Sequence, residues 1–379
     1  MTRILIVKLS SLGDVVHAMP AVHDILACVP GAHIDWVVER AFAPLVARCQ
    51  GVKRVIPCEL RRWSKAMLSP KTRLEWAAFK ADLQAQPYDV VLDLQGLTKS
   101  AAVARLAVVA PGGVRYAMAN RTAGSSYEAP TRWVADVTIR MPAHTHAVQR
   151  ARLLCAGALA YEIPDSECFG LTALIDTAQA AINSGVNKNL NKGCVALIHG
   201  SSRADKCWPD SHWLALGARL IAAGYTLGLP HGSAAELETA QRLAQAFGPQ
   251  ATVWPRLDLG ALTDRLALCA GVFGVDSGLS HIAVALNLPH VQIYNFPTAW
   301  RTGPLGQPHQ CSVFGQPEPA VNVVWRAWEQ VFSKRYSARN GPHPNPLPPA
   351  GEGANRGAGF QSPLPHPKAK LSASRAAEG

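Results

Sequence analysis

The sequence predicts an α/β protein made of two doubly wound, parallel-sheet domains in tandem, with their sheets facing a cleft. Three observations lead there. The chain has 379 residues, more than one core serves, because single hydrophobic cores stop growing beyond roughly 250 to 300 residues. Short β-branched runs alternate with amphipathic stretches from the first residues onward, the pattern of parallel strands joined by crossover helices. A polar, irregular stretch at 161–192, rich in Asn, separates two such alternations.

In the first half Arg3–Lys8, Ile34–Glu39, Val90–Leu94 and Val114–Met118 have strand character, and His146–Leu159 has the pattern of a closing helix. This domain is expected over 1–160, followed by a linker at 161–192. In the second half the strand-like runs are Cys194–His199, Tyr225–Leu229, Ala251–Trp254, Val272–Val275 and Val291–Tyr294. Helical stretches near 212–223, 234–247, 259–270 and 279–287 lie between them, and Val321–Phe332 closes a domain expected over 193–333. Beyond it, 334–379 turns rich in Pro and Gly and too poor in apolar residues to offset its ordering entropy, so a disordered basic tail is expected.

Hydrophobic residues make up 48% of the chain and charged ones 17%, a globular composition. The formal net charge is +11, but seven Lys or Arg against two Glu in 334–379 put +5 of it in the tail. The modestly basic body suits an anionic ligand or membrane surface. No nucleic-acid motif accompanies the charge, so no nucleic-acid partner is expected. The nine cysteines form no Cys-x-x-Cys pair, which argues against a disulfide framework or structural metal and for a reducing cytoplasm. The N-terminal apolar run before Lys8 is too short for a signal peptide, and no run reaches the roughly 18 residues of a membrane span. Any membrane contact is therefore expected to be peripheral.

Candidate chemistry sits in loops that leave the carboxyl ends of strands, where open α/β sheets bind ligands. The run Lys8–His17 follows the first strand without the Gly-x-Gly-x-x-Gly fingerprint of a dinucleotide site. Within it Gly13 permits close backbone approach and Asp14 can point a carboxylate at the cleft, although Ser11 or Asp14 serves equally well as a helix cap. Arg61, Arg62 and Lys65 suit an acidic acceptor or a solvated surface. Asp93–Ser100 offers Gln95, Thr98 and Lys99 around a turn at Gly96, as a binding loop or a capped turn. In the second half, Ser201, Ser202 and Lys206 supply what a departing pyrophosphate requires, and an ordinary polar loop over a buried Trp208 fits the same residues. Gly274–His281 joins a strand to a helix, so the amides of Ser277, Gly278, Leu279 and Ser280 would converge on a diphosphate. Asp276 and His281 flank that point, or else cap the helix and pack inside it.

In order along the chain, Val7–Asp14, Arg61–Trp63, Asp93–Lys99, His146–Arg150, Asp205–Pro209 and Asp276–His281 resemble the lipopolysaccharide heptosyltransferases over about residues 1–333. The resemblance implies a glycosyltransferase-B architecture of two Rossmann-like domains. It implies an inverting transfer of L-glycero-D-manno-heptose from ADP-L-glycero-D-manno-heptose to Kdo-lipid A, with no cofactor or metal. On the same ground Asp14 would be the general base and Lys206 would meet the leaving diphosphate. Asp276 to His281 would form the donor site, with Glu236 on the ribose. Arg61, Arg62, Lys65 and Arg121 would meet the carboxylates and phosphates of the acceptor. The Arg61–Trp63 and Gln95–Lys99 runs favour the branch that adds the first heptose over the branch that adds the second. A monomer at the cytoplasmic face of the inner membrane is the implied setting. A protein of another class, which binds the nucleotide sugar or lipopolysaccharide without turnover, is the alternative, and the presence of both Asp14 and Lys206 argues against it. Tyr294–Gly303 departs from the family's usual loop, so no contacts are assigned there.

Overall fold

The computed structural model describes residues 1–174 and 192–339, with side chains as far as 333. Most of the expected linker, and the expected tail beyond 339, fall outside the described residues. The first sheet comprises β1 (Arg3–Val7), β2 (His33–Glu39), β3 (Val52–Cys58), β4 (Tyr88–Asp93), β5 (Val109–Met118) and β6 (Val137–Ile139). They lie in the order β3-β2-β1-β4-β5-β6, with every pair parallel. Its helices are α1 (Leu12–Cys28), α2 (Ala43–Val46), α3 (Leu60–Trp63), α4 (Pro70–Leu83), α5 (Thr98–Leu106), α6 (Thr131–Val134) and α7 (Ala147–Leu159).

The second sheet repeats the plan. Its strands are β7 (Cys194–Ile198), β8 (Thr226–Leu229), β9 (Ala251–Val253), β10 (Gly271–Val275), β11 (His290–Tyr294) and β12 (Gln310–Phe314). They are again parallel, in the order β12-β11-β10-β7-β8-β9. The helices are α8 (Asp210–Ala222), α9 (Ala234–Phe247), α10 (Leu259–Ala267), α11 (Gly278–Ala285), α12 (Ala299–Thr302) and α13 (Val321–Arg339). Helix α13 continues past 333, where composition alone placed the domain's end.

Each sheet reverses its winding direction at its centre, between β1 and β4 in the first and between β7 and β10 in the second. Ligand crevices of doubly wound sheets open at such points, beyond the carboxyl ends of the strands. The central strands are buried on both faces, with Ile4, Leu5, Ile6, Val7 and Phe273 wholly inaccessible, which is why they show as continuous apolar runs. Strands β3, β6 and β12 escape the sequence pattern for the opposite reason. They contain half-exposed or exposed positions and lie at or near the sheet edges.

One apolar cluster extends from Ile4, Ile6 and Met19 in the first half to Ile198, Leu266 and Ile282 in the second. Helix α1 packs between α7 and α11, so it is one of the elements through which the halves meet. Arg152 on α7 makes a bidentate pair with Asp24 on α1 at 2.7 and 3.0 Å. The same guanidinium donates to the carbonyls of Pro164 and Ser166, which fastens the segment leaving α7 to α1.

Candidate functional site

The loops after β1, β4, β7 and β10 converge on one cavity of about 370 Å³. From the first half, Ser11, Gly13, Asp14, Arg61, Gln95 and Lys99 line it; from the second, Ser202, Lys206, Asp276, Ser277, Gly278 and His281 do. Glycine is required where α1 meets α11. A Cβ on Gly13 would stand 2.7 Å from His281 Cδ2, and one on Gly278 would stand 2.6 Å from Leu12 Cγ. Gly96 holds a left-handed φ of +74° in the turn after β4, which lets the amides of Gln95 and Gly96 both donate to Asp93 Oδ1. The Gln95 side-chain oxygen in turn accepts from the amides of Leu9 and Ser10, tying the β4 loop to the β1 loop.

Asp14 both caps and faces the cavity. Its Oδ2 accepts from the amide and hydroxyl of Ser11 at 3.2 and 2.8 Å, while Oδ1 lies 3.4 Å from Arg150 Nη2 and 3.9 Å from Lys8 Nζ. Burial pushes this carboxyl up, but Lys8, Arg150 and the Ser11 hydrogen bonds outweigh it, and the net shift is below the ordinary value. Lys8, itself buried, donates to the Leu94 carbonyl, and burial lowers its own pKa. Asp93 at the end of β4 shows the contrasting case. Burial raises its carboxyl to about 6 despite the donors around it.

On the opposite wall Lys206 Nζ lies 2.6 Å from Asp276 Oδ2, and Asp276 Oδ1 lies 3.4 Å from the Thr302 hydroxyl and 3.6 Å from His281 Nε2. Ser277, not Asp276, is the N-cap of α11. The loop that carries Lys206 is anchored by Trp208, which is buried and donates to the Pro319 carbonyl.

Several residues of the sequence motifs stand outside the cavity wall. Ser280 is buried and donates to the Val275 carbonyl, in space left by the missing side chain of Gly274. Leu279 packs against the apolar cluster, and Ser201 donates to the Asp276 carbonyl. Glu236 accepts from the amides of Gly232 and Ser233 at the start of α9. Arg62 is engaged by Glu59 and Glu75. Lys65 is exposed on the surface beyond α3. Arg121 donates to the Ser125 carbonyl and so braces the loop whose Ser125 and Ser126 line the cavity.

The cavity also contains residues to which the sequence assigned no role: Lys8, His17, Arg150, Arg301 and Thr302. Arg150 lies four residues after His146 on α7, so the signal was two cations, Arg150 and Arg152, among otherwise apolar buried positions of the helix. Arg301 and Thr302 belong to α12, which reaches the first half through an Arg301–Gly124 carbonyl hydrogen bond and a His144–Trp300 stack at 3.6 Å. Among the described residues, no group of three or more His, Cys, Asp or Glu side chains is placed to hold a metal.

Three histidines meet where α1, α7 and α11 converge: the His17 ring lies 4.2 Å from that of His281 and 6.0 Å from that of His146. Burial depresses all three, His146 from 6.5 to about 4, with Arg150 and Lys8 adding to the effect on His17 and the acids Asp276 and Asp14 opposing it on His281. The unfolded chain binds protons near 6.5 that these native histidines refuse, so their contribution to stability is complete above that pH and declines as pH falls toward about 4. Thermal melts between about pH 7.5 and about pH 4.5 should show Tm falling through this window, and the fall should flatten in His146→Gln. A variant as steep as the parent would locate the sensitivity elsewhere.

The profile of glycosyltransferase family 9 (heptosyltransferase) matches residues 76–324. Lipopolysaccharide heptosyltransferase 1 of Pseudomonas aeruginosa is 36% identical over 312 residues, which cover 80% of this chain and 82% of that one. The Escherichia coli heptosyltransferase WaaC with ADP superposes with a TM-score of 0.75 at 33% identity, covering 87% of this chain and 100% of that one. The same enzyme with ADP-2-deoxy-2-fluoro heptose gives 0.70 at 34% identity, covering 86% and 99%. By contrast, lipopolysaccharide heptosyltransferase 2 of Salmonella typhimurium is 24% identical over 80% of this chain and 85% of its own length. With the paired parallel sheets, the shared crevice and these likenesses in hand, the chain belongs to glycosyltransferase family 9, the heptosyltransferases.

Proposed function

We propose that this heptosyltransferase moves L-glycero-D-manno-heptose from ADP-heptose to a Kdo hydroxyl of Kdo-lipid A, with inversion at the anomeric carbon. One observation carries the reading: a single cavity holds the Asp14 carboxylate of the first half and, from the second, Lys206 beside the N-terminus of α11. An inverting displacement needs one base and one stabilised leaving group, and no covalent nucleophile. Asp14 takes the proton of the acceptor hydroxyl as its oxygen bonds to the anomeric carbon. The bond from that carbon to the ADP oxygen breaks in the same step. The charge developing on the diphosphate is met by Lys206 and the α11 amides, with Ser202 alongside.

In this reading residues 1–160 hold the acceptor and 193–333 the donor. Arg61, Lys99 and Gln95 line the acceptor side, and Asp276, Ser277, Gly278 and His281 the donor side. No helix among the described residues is long and apolar enough to cross a membrane. A lipid acceptor therefore sets the enzyme peripherally on the cytoplasmic face of the inner membrane.

The test is ADP release from ADP-heptose with Kdo-lipid A, run beside an acceptor that already carries one heptose. Turnover on Kdo-lipid A at least tenfold above the other is expected. Turnover confined to the heptosylated acceptor would make the chain the second-heptose enzyme. Donor binding with no turnover on either would make it a binding protein.

A further inference from the structure

A second cavity, of about 680 Å³, opens on the first half where α3 and α4 face α5, within the size range of small-molecule sites. Its wall is largely carbon, from Trp63, Met67, Trp76, Ala102 and Val103. Trp63 turns its only polar atom to Glu75 Oε2 at 2.9 Å, so it offers the cavity hydrocarbon, and Trp76 meets it edge-on with centroids 5.7 Å apart. The surrounding segment exposes further apolar surface: Met67 is 70%, Leu68 89% and Leu74 74% exposed. Apolar patches of this kind, rimmed by charge, mark binding surfaces.

Two cations connect this groove to the reaction cavity. Arg61 and Lys99 line both, and Arg73 lines the groove alone. A nucleotide or free sugar would find few hydrogen-bond partners on such a wall. An anionic amphiphile fits both parts, with its charged head at Arg61 and Lys99 and its chain along the two tryptophans.

We propose that the groove seats an acyl chain of the acceptor lipid while its headgroup reacts in the adjoining cavity. This rests on the acceptor being a lipid, as the proposed function has it. Each buried CH₂ contributes about fourfold in affinity by apolar-area bookkeeping, so even a few ordered carbons should be visible in KM.

The experiment compares KM for Kdo-lipid A and for the same saccharide phosphate stripped of its acyl chains, at matched detergent, by ADP release. The stripped acceptor is expected to have a KM at least tenfold higher with the parent protein. In Ala102→Trp, which sets an indole in the groove from an exposed position on α5, that ratio should collapse toward one. Met67→Glu, from the exposed segment after α3, should do the same and stands in should the first variant not fold. Equal KM values in the parent, or a ratio that both variants retain, would overturn the groove and leave the transfer reading intact. No ADP release with either acceptor would overturn both. Binding to acceptor-free phosphatidylglycerol vesicles that both variants lose, with the KM ratio unchanged, would give the groove to the bilayer instead.

Discussion

Asp14→Ala should lower kcat on Kdo-lipid A by about 10²- to 10⁴-fold, the range of a lost general base, while ADP-heptose affinity stays within about twofold. Because Asp14 Oδ2 also accepts from Ser11 at the start of α1, a lost cap must be told apart from a lost base. Asp14→Asn does this: the amide oxygen still accepts from Ser11, so the cap is kept, yet it cannot take a proton at neutral pH. Any fall in melting temperature then reports the counter-ion lost by buried Lys8 and Arg150. Single-turnover rates with calorimetric donor titrations separate the two. Asn retaining more than about a tenth of parental turnover would remove Asp14 from the chemistry.

The pH profile adds a signed constraint. Since Lys8 and Arg150 hold Asp14 below its ordinary value of 3.8, this carboxylate is ionised throughout the neutral range, and no acidic limb of kcat/KM above that pH belongs to it. A limb nearer 6 would instead report Asp93, which burial raises to about 6, through the loop that Asp93 holds by Gln95, Gly96 and Ser100.

The sequence revealed the places of chemistry better than the directions of side chains. Strands buried on both faces have a composition that few other structures share, so β1, β4, β7 and β10 stood out, and with them the loops at their carboxyl ends. Direction was another matter. Arg61 and Arg62 are neighbours on the single turn of α3 and therefore diverge by about 100°; the first reaches the cavity and the second turns to Glu59 and Glu75. Ser277 and Ser280 divide similarly, one at the cavity and one folded inward against the Val275 carbonyl. Arg150 pairs with Asp14 across 136 residues, and no local pattern announces such a partner. Arg301 and Thr302 lie in the loop whose sequence departs from the family, so only the folded chain places them at the cavity.

Lys206→Ala should lower kcat by about 10²- to 10³-fold, the magnitude of losing one preorganised charge at a developing anion, and weaken ADP binding as well. The pair it forms with Asp276 complicates the reading. With side chains only 16% and 7% exposed, removing the lysine leaves the Asp276 carboxylate with Thr302 and His281 as its closest polar partners. Breaking a buried pair in this way costs about 3 kcal/mol or more, so the single variant should also melt early. Adding Asp276→Asn removes the orphaned charge, and the double variant should recover most of the melting temperature. Turnover should stay low, because the diphosphate still lacks its cation. Should turnover return together with stability, Lys206 would act by holding Asp276 in place, and the leaving group would have to be met by Arg301 and the α11 amides. Lys206→Arg discriminates further: it restores the charge but not the compact ammonium geometry, so a partial return of kcat with full ADP affinity is the outcome expected of a direct electrostatic role.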